Sequence, residues 1–302
     1  MSTAPANSTA FAPVAGNAWA ARLSDYKELT KLRLSLLVLV VTAAGYALGA
    51  DASASMWGML HAVAGTALVA FAANALNQVI ERRFDLLMPR TQNRPVAAGR
   101  IGVGEATIFS WACAVIGTAY LALAANGLAA GLAALTFLIY IFVYTPMKRR
   151  SWTNTLVGAI PGALPPLIGY VAAGGNSWLI AGTLFAILYL WQMPHFYAIA
   201  WMYRDDYAAG GYRMLSVVDP SGRAVARQSV YYVLALMVAA ALPVAFVGKP
   251  NLFVLISSSL AVCFVTCVLQ FASKPDRTSA RYVLLASIAY LAALMVALLV
   301  TF

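Results

Sequence analysis

Charge is scarce in this chain. Of its 302 residues only 10% are charged, and only 10 are acidic. A soluble domain carries about 25% charged residues. With 62% hydrophobic residues, so little charge excludes both a water-facing globular surface and a disordered chain. Cysteine is limited to Cys113, Cys263 and Cys267, all in apolar stretches. That excludes a disulfide scaffold and reads as three buried, unpaired thiols. Cys263 and Cys267 share a helix face at i, i+4, but no histidine or carboxylate joins them, so packing outweighs a metal site. The first 20 residues lack a charged segment ahead of an apolar core, so no secretory signal is expected. Residues 1–20 read as a flexible, uncharged tail, and 21–302 as a single domain. Acid is shorter than base: 20 Lys+Arg leave a net charge of +10. The apolar content argues against nucleic acid as the reason and for a membrane protein with basic loops on one side.

A membrane-spanning helix needs about 20 mainly apolar residues. Nine stretches qualify: 34–50, 57–80, 104–125, 128–146, 153–173, 177–202, 228–248, 251–272 and 280–301. They are continuous rather than alternating, so the fold class is all-α, a polytopic bundle in the lipid bilayer. With nine spans, 19 of the 20 basic residues fall on the side of the N-terminus, and only Lys249 falls on the other. The positive-inside rule makes that side cytoplasmic and puts the C-terminus outside. Nine of the ten acids lie there too, Asp51 being the exception. Two long loops, 81–103 and 203–227, hold most of these charges. They follow spans two and six, which run in the same direction. Their ends are therefore expected to face each other across a ring built from two four-helix repeats and a ninth span.

In the first loop, Asn77, Glu81 and Asp85 are spaced i, i+4, i+8. On a helix they stack on one face. An amide and two carboxylates there supply oxygen ligands for a hard cation such as Mg²⁺, which completes its shell with water and phosphates. Arg90 and Arg94, again i, i+4, offer guanidinium forks to phosphate oxygens. The combination describes a site for a metal-diphosphate with an apolar tail. The competing reading is a solvated helix cap in which Glu81 and Asp85 balance Arg82 and Arg83.

His195 lies about eight residues from the cytoplasmic end of span six, ~12 Å deep at 1.5 Å per residue. An ionisable group within a span is a functional candidate. Pro194 beside it is expected to kink the helix and open a pocket. A neutral imidazole there suits a metal or a bound molecule, and a helix–helix hydrogen bond is the alternative. His61, near the outside face, reads as structural. Span five carries Pro161, Pro165 and Pro166 with Gly158, Gly162 and Gly169. It reads as a broken helix, which suits an enzyme or a transporter equally.

The run from Asn74 to Pro95 resembles the first signature of the UbiA superfamily of intramembrane prenyltransferases, with Glu81 in its middle acidic position. Met88-Pro-Arg-Thr91, Asn93-Arg-Pro95, Tyr144-Thr-Pro-Met-Lys-Arg149, Asn154, the Gly158–Gly169 run, Gln192-Met-Pro-His-Phe196 and Tyr203-Arg-Asp-Asp-Tyr207 resemble its branch that farnesylates protoheme IX. The resemblance covers about residues 20–300, with these blocks in family order. One departure stands out. Relatives acting on hydroxybenzoate carry a second Asp-x-x-x-Asp motif four residues before a glycine. Aligned on Gly210, the second acid is Asp206 and the first position is Met202, which cannot bind Mg²⁺. A weaker second metal site, or one rebuilt with Asp205, follows, or else a loop that pairs its own charges.

The resemblance implies an enzyme that transfers the farnesyl group of farnesyl diphosphate to a vinyl group of protoheme IX, with addition of water, in a bacterial inner membrane. Asn77, Glu81 and Asp85 would hold Mg²⁺. Arg90, Arg94, Lys148 and Arg149 would neutralise the diphosphate. Asp205 and Asp206 would complete a second metal site or orient heme. His195, Tyr144, Asn154 and Tyr207 would bind substrate. A downstream heme-modifying enzyme or a terminal oxidase is the expected partner. Two alternatives stay open: a prenyltransferase with another acceptor, a quinone precursor or chlorophyllide, and a heme carrier or transporter without chemistry.

Overall fold

The computed structural model describes residues 18–51 and 54–302, so most of the expected tail lies outside the described residues. Residues 18–20 already belong to a helix, α1 (Ala18–Leu29), which precedes the first span, α2 (Leu32–Gly49). Spans two and three are α3 (Met56–Asp85) and α4 (Val103–Ala124). The fourth runs from Gly127 to Met147. It joins α5 (Gly127–Leu138), a π-helical stretch (Ile139–Tyr144) and one turn, α6 (Thr145–Met147). The fifth is split into α7 (Asn154–Ala163) and α8 (Pro165–Ala172). The sixth is α9 (Trp178–Met202), followed in the second loop by α10 (Arg204–Ala209) and α11 (Leu215–Val218). α12 (Arg223–Ala241), extended by a 3₁₀ turn, α13 (Pro250–Ser273) and α14 (Arg277–Thr301) complete the set. Among the described residues every regular element is helical, and nine helices are long and apolar enough to cross a membrane.

Local chemistry accounts for the helix boundaries. Ser55 caps α3 by accepting from the Gly58 N–H at 3.0 Å, and Asn126 caps α5 by accepting from Ala129 at 2.8 Å. Asp276 and Ser279 form a reciprocal capping box at the start of α14. The break in span five falls at Leu164, where Pro165 and Pro166 cannot donate to the helical ladder. Pro194 does not interrupt α9, which stays helical through it. Span six is therefore not broken at its proline, whereas span five is. α3 runs five residues beyond the 57–80 stretch, so Glu81 and Asp85 are on the helix itself.

Two apolar cores organise the bundle. One joins α3, α4 and α5 with Leu29 of α1. The other joins α2, α7, α8, α9, α12, α13 and α14. α2 and α8 touch backbone to backbone. A Cβ built on Gly45 would lie 1.9 Å from the Pro166 carbonyl oxygen, and one on Gly169 would lie 1.9 Å from that of Thr42. Of the three cysteines, Cys113 is buried and Cys267 half-buried, but Cys263 is exposed on the outward face of α13. That corrects the expectation of three buried thiols. All three are free. His61 Nδ1 is 2.6 Å from the Tyr120 hydroxyl on α4, a helix-to-helix contact.

Candidate active site

Side chains of α2, α3, the π-helical stretch, α7 and α9 surround a cavity of about 360 Å³ at the charged end of the bundle. Asn77, Glu81 and Asp85 line it from one face of α3, as their spacing predicts. Arg90 and Arg94 reach it from the loop after α3, Lys148 from the end of span four, and Tyr207 from α10. The two long loops do face each other. The Arg213 N–H donates to the Lys148 carbonyl at 2.8 Å, tying the second of them to the end of span four as well. Phe84 and Tyr212 meet edge to face at 6.2 Å, and Met88, Ala200, Tyr212 and Met214 pack together beneath them.

Each buried carboxylate has its own cation. Lys148 Nζ donates to Glu81 Oε1 at 2.8 Å. Arg94 Nη1 lies 2.8 and 3.0 Å from the two Asp85 oxygens. Burial by itself would lower the pKa of Lys148, but the Glu81 carboxylate outweighs it and raises the ammonium well above the ordinary lysine value. Arg94 follows the same pattern with Asp85. Arg90 stacks over Tyr203 at 4.9 Å and is 3.7 Å from Asp206, which ties the second loop to the cavity rim.

Asn77 differs from its neighbours. It is 1% exposed, and neither its Oδ1 nor its Nδ2 has a partner. A buried amide without hydrogen bonds is costly and requires an explanation. Beside two carboxylates, one and two turns further along the helix, it fits an oxygen ligand for a hard cation. Among the described residues no three His, Cys, Asp or Glu side chains gather as a metal-holding group. The donor set is therefore one amide and two carboxylates, with water and substrate oxygens left to complete a shell.

Five residues singled out in the sequence fall outside the cavity lining. Asp206 touches it only through Arg90 at the rim. Asp205 is almost fully exposed, near Arg204 at 3.6 Å. It lines a separate crevice with Met202 and Asp276, so Asp205 and Asp206 do not converge on one site. Asn154 is buried, donating to the carbonyls of Ser151 and Arg213 at 2.7 and 3.2 Å, and so ties the turn after span four to the second long loop. Arg149 lies over the Phe84 ring at 4.0 Å. His195 lines neither chamber. Its Nδ1 is 2.8 Å from Ser287 Oγ on α14, and its ring stacks on Trp191 at 4.9 Å. This is the helix–helix hydrogen bond that the sequence left as the alternative.

The cavity also recruits Tyr140, which the sequence reading passed over. With Tyr144 and Lys148 it repeats the i, i+4, i+8 spacing of the α3 triad, and that repeat was a usable signal. The rings of Tyr140 and Tyr144 are 5.2 Å apart on the π-helical stretch. Such stretches are frequent at functional sites. Both tyrosines, with Gly158 and Phe196, also line a second, apolar chamber of about 220 Å³. The two chambers thus share a wall, one polar and one apolar. Lys31, which the sequence used only for orientation, lines the polar one. Burial, with Arg94 and Lys148 nearby, pushes its ammonium down to about 7, against a partial pull from Glu81 and Asp85.

A carboxylate–amide helix face among cations, on a nine-span bundle, agrees with the comparison to known families. The UbiA prenyltransferase family matches residues 38–300. This chain belongs to that family. Among similar UbiA relatives, the Solibacter usitatus protein named protoheme IX farnesyltransferase is 44% identical over 279 residues, covering 89% of this chain and 95% of its own. The Koribacter versatilis protein of the same name is 39% identical over 282 residues, covering 90% and 91%. The Arabidopsis thaliana mitochondrial protein of that name is 46% identical over 215 residues, 70% of this chain and half of its own. A digeranylgeranylglyceryl phosphate synthase structure superposes with a TM-score of 0.77 at 17% identity, over 93% of this chain and 98% of that one. A UbiA homolog from Archaeoglobus fulgidus bound to DMAPP and Mg²⁺ superposes at 0.64 and 15% identity, over 89% and 99%. At such identities the structures establish the shared UbiA fold.

Proposed function

We propose that this UbiA protein is a protoheme IX farnesyltransferase, which joins the farnesyl group of farnesyl diphosphate to a heme vinyl group with addition of water. The observation that carries this reading is the pair of chambers. A polar one presents Asn77, Glu81 and Asp85 among cations, and an apolar one adjoins it through Tyr140, Tyr144, Gly158 and Phe196. An amphiphile with a diphosphate head and an isoprenoid tail fits both. The names of the relatives supply the acceptor. The basic loops support a cytoplasmic position for the polar chamber, in a bacterial inner membrane.

Asn77, Glu81 and Asp85 would hold Mg²⁺, which when bound neutralises diphosphate oxygens and assists departure of the leaving group. Arg90, Arg94 and Lys148 bind the rest of the diphosphate charge, with Arg149 near the rim. Stabilising charge that develops on a leaving group is usually the largest catalytic contribution. The allylic C–O bond breaks, the electron pair leaves with diphosphate, and a farnesyl cation remains. Tyr140 and Tyr144 border the boundary between the chambers, where their ring faces favour a neighbouring cation. The heme vinyl group attacks the farnesyl carbon, and water adds to the resulting cation with loss of a proton. Farnesyl diphosphate, heme and water are thereby converted to farnesylhydroxyethyl heme and diphosphate. Asp206 orients Arg90, and Tyr207 closes the chamber.

The test uses purified protein in lipid nanodiscs with labelled farnesyl diphosphate, heme and Mg²⁺. Label should appear in a heme product carrying one farnesyl group and one hydroxyl group. Heme binding without transfer would replace the enzyme with a carrier.

A further inference from the structure

Among the described residues the lining of the apolar chamber carries no charged side chain, and most of its polar groups are turned away. The hydroxyls of Thr66 and Thr136 donate back to the Ala62 and Leu132 carbonyls of their own helices, each at 2.8 Å. Asn74 is held to the turn between α1 and α2, with its Nδ2 donating to the Thr30 carbonyl at 3.0 Å and to Ser35 Oγ at 3.2 Å. Gln192 is arranged differently. It is 2% exposed on α9. Its Nε2 donates to the Ala159 carbonyl of α7 at 3.0 Å and to the Leu188 carbonyl of its own helix at 2.9 Å. Two carbonyl acceptors fix which end of the amide is nitrogen. The other end, Oε1, lies against Gly162 of α7, where a built Cβ would be 2.0 Å from it. Gly162 is therefore the space in which this oxygen sits. Among the described residues no group donates to Oε1. An amide oxygen buried in this way is costly unless a donor reaches it.

The position of that oxygen is informative. Gly158 and Phe196 belong to the wall that the two chambers share. Gly162 follows Gly158 by four residues, and Gln192 precedes Phe196 by four. On antiparallel helices both steps lead the same way, about 6 Å deeper into the apolar chamber. Diphosphate leaves the allylic carbon at the shared wall. After the vinyl group has attacked that carbon, the new cation sits two carbons further on. Gln192 Oε1 is thus placed on the side of the second cation, away from the diphosphate.

We propose that Gln192 holds the hydrating water, and so decides that the second cation is captured as an alcohol instead of losing a proton to give an alkene. This deepens the farnesyltransferase reading and rests on it. One O–H of the water donates to Gln192 Oε1, which aims an oxygen lone pair at the cationic carbon. The C–O bond forms from that pair. The proton shed by the resulting oxonium passes to the released diphosphate, the base that the reaction itself supplies. The neutral amide orients the water and takes no proton.

The test supplies nanodisc-embedded protein with labelled farnesyl diphosphate, heme and Mg²⁺, and resolves the products by mass. The hydrated farnesyl heme and its alkene counterpart differ by one water. Gln192→Leu should lower the ratio of hydrated product to alkene about tenfold, the weight of one hydrogen bond in the capturing step. Farnesyl transfer continues, because the C–C bond forms first. Gln192→Glu, isosteric and still an acceptor, should restore most of the ratio. Gly162→Ala keeps the amide but intrudes on Oε1, and should shift the ratio in the same direction as Gln192→Leu. A brace between α7 and α9 with no other role would lower stability and rate at an unchanged ratio. A wild-type ratio in Gln192→Leu therefore overturns the proposal, and if that variant does not fold, a wild-type ratio in Gly162→Ala does so. A wild-type protein that forms no farnesylated heme overturns instead the farnesyltransferase reading.

Discussion

Breaking the Glu81–Lys148 pair should separate its structural weight from its catalytic one. The two side chains are buried and 2.8 Å apart. At an effective dielectric of about 20, that separation corresponds to a gross attraction of roughly 6 kcal/mol. Desolvation of both ions takes back most of it, so the pair is near neutral overall, yet removing one partner strands a buried charge at a cost of about 3–5 kcal/mol. Lys148→Met should therefore destabilise the protein by that amount, and so should Glu81→Gln on the other side. Lys148→Met also loses the contact with the Tyr144 ring at 4.7 Å, worth about 0.5–2 kcal/mol. The double variant leaves no stranded charge. It should recover at least about 2 kcal/mol relative to the sum of the singles. The assay is reversible denaturant unfolding in detergent, followed by far-UV circular dichroism. Turnover should be lost in all three, because both groups serve the diphosphate. Additivity within about 0.5 kcal/mol would refute the buried-pair reasoning. Full turnover in the double variant would remove both residues from the chemistry.

Asp85→Asn should leave the helix in place and lower kcat by roughly 100-fold or more, and raising Mg²⁺ should restore part of it; unchanged Mg²⁺ dependence would take Asp85 out of the metal site. Gly169→Ala should destabilise by about 1–3 kcal/mol because its Cβ meets the Thr42 carbonyl oxygen at 1.9 Å, and a thermal midpoint equal to wild type would contradict the α2–α8 packing. His195→Ala should cost about 0.5–1.5 kcal/mol through loss of the Ser287 hydrogen bond, with the absorption spectrum of bound heme unchanged; a shifted Soret band would return His195 to the substrate.

The site was legible in part, and the reason is geometric. Asn77, Glu81 and Asp85 lie on one helix, where spacing alone dictates a common face. Their cations come from distant segments, and spacing says nothing about which cation meets which acid. That Arg94 serves Asp85 and Lys148 serves Glu81 follows from how the loop after α3 folds back and where span four ends. Asp205 and Asp206 are adjacent in sequence, yet one faces outward and the other the cavity rim, because α10 turns them to different sides. His195 looked functional because it is a polar residue in a span. Ser287, 92 positions away, satisfies it from another helix.

Composition and the distribution of charge by themselves determined that this is a nine-span helical membrane protein with its basic loops on one side, since lipid tolerates only internally bonded, apolar spans. The three donor positions on α3 were equally determined, because helical periodicity is local. The tertiary structure alone decided the second, apolar chamber, the burial of each ion pair and the left-handed turn at Lys31 between α1 and α2. Each of these depends on contacts between segments far apart in the chain. Lys31 shows the difference most sharply: in sequence it is one of 19 basic residues that orient the protein, and in the fold it is a half-buried side chain that lines the polar chamber.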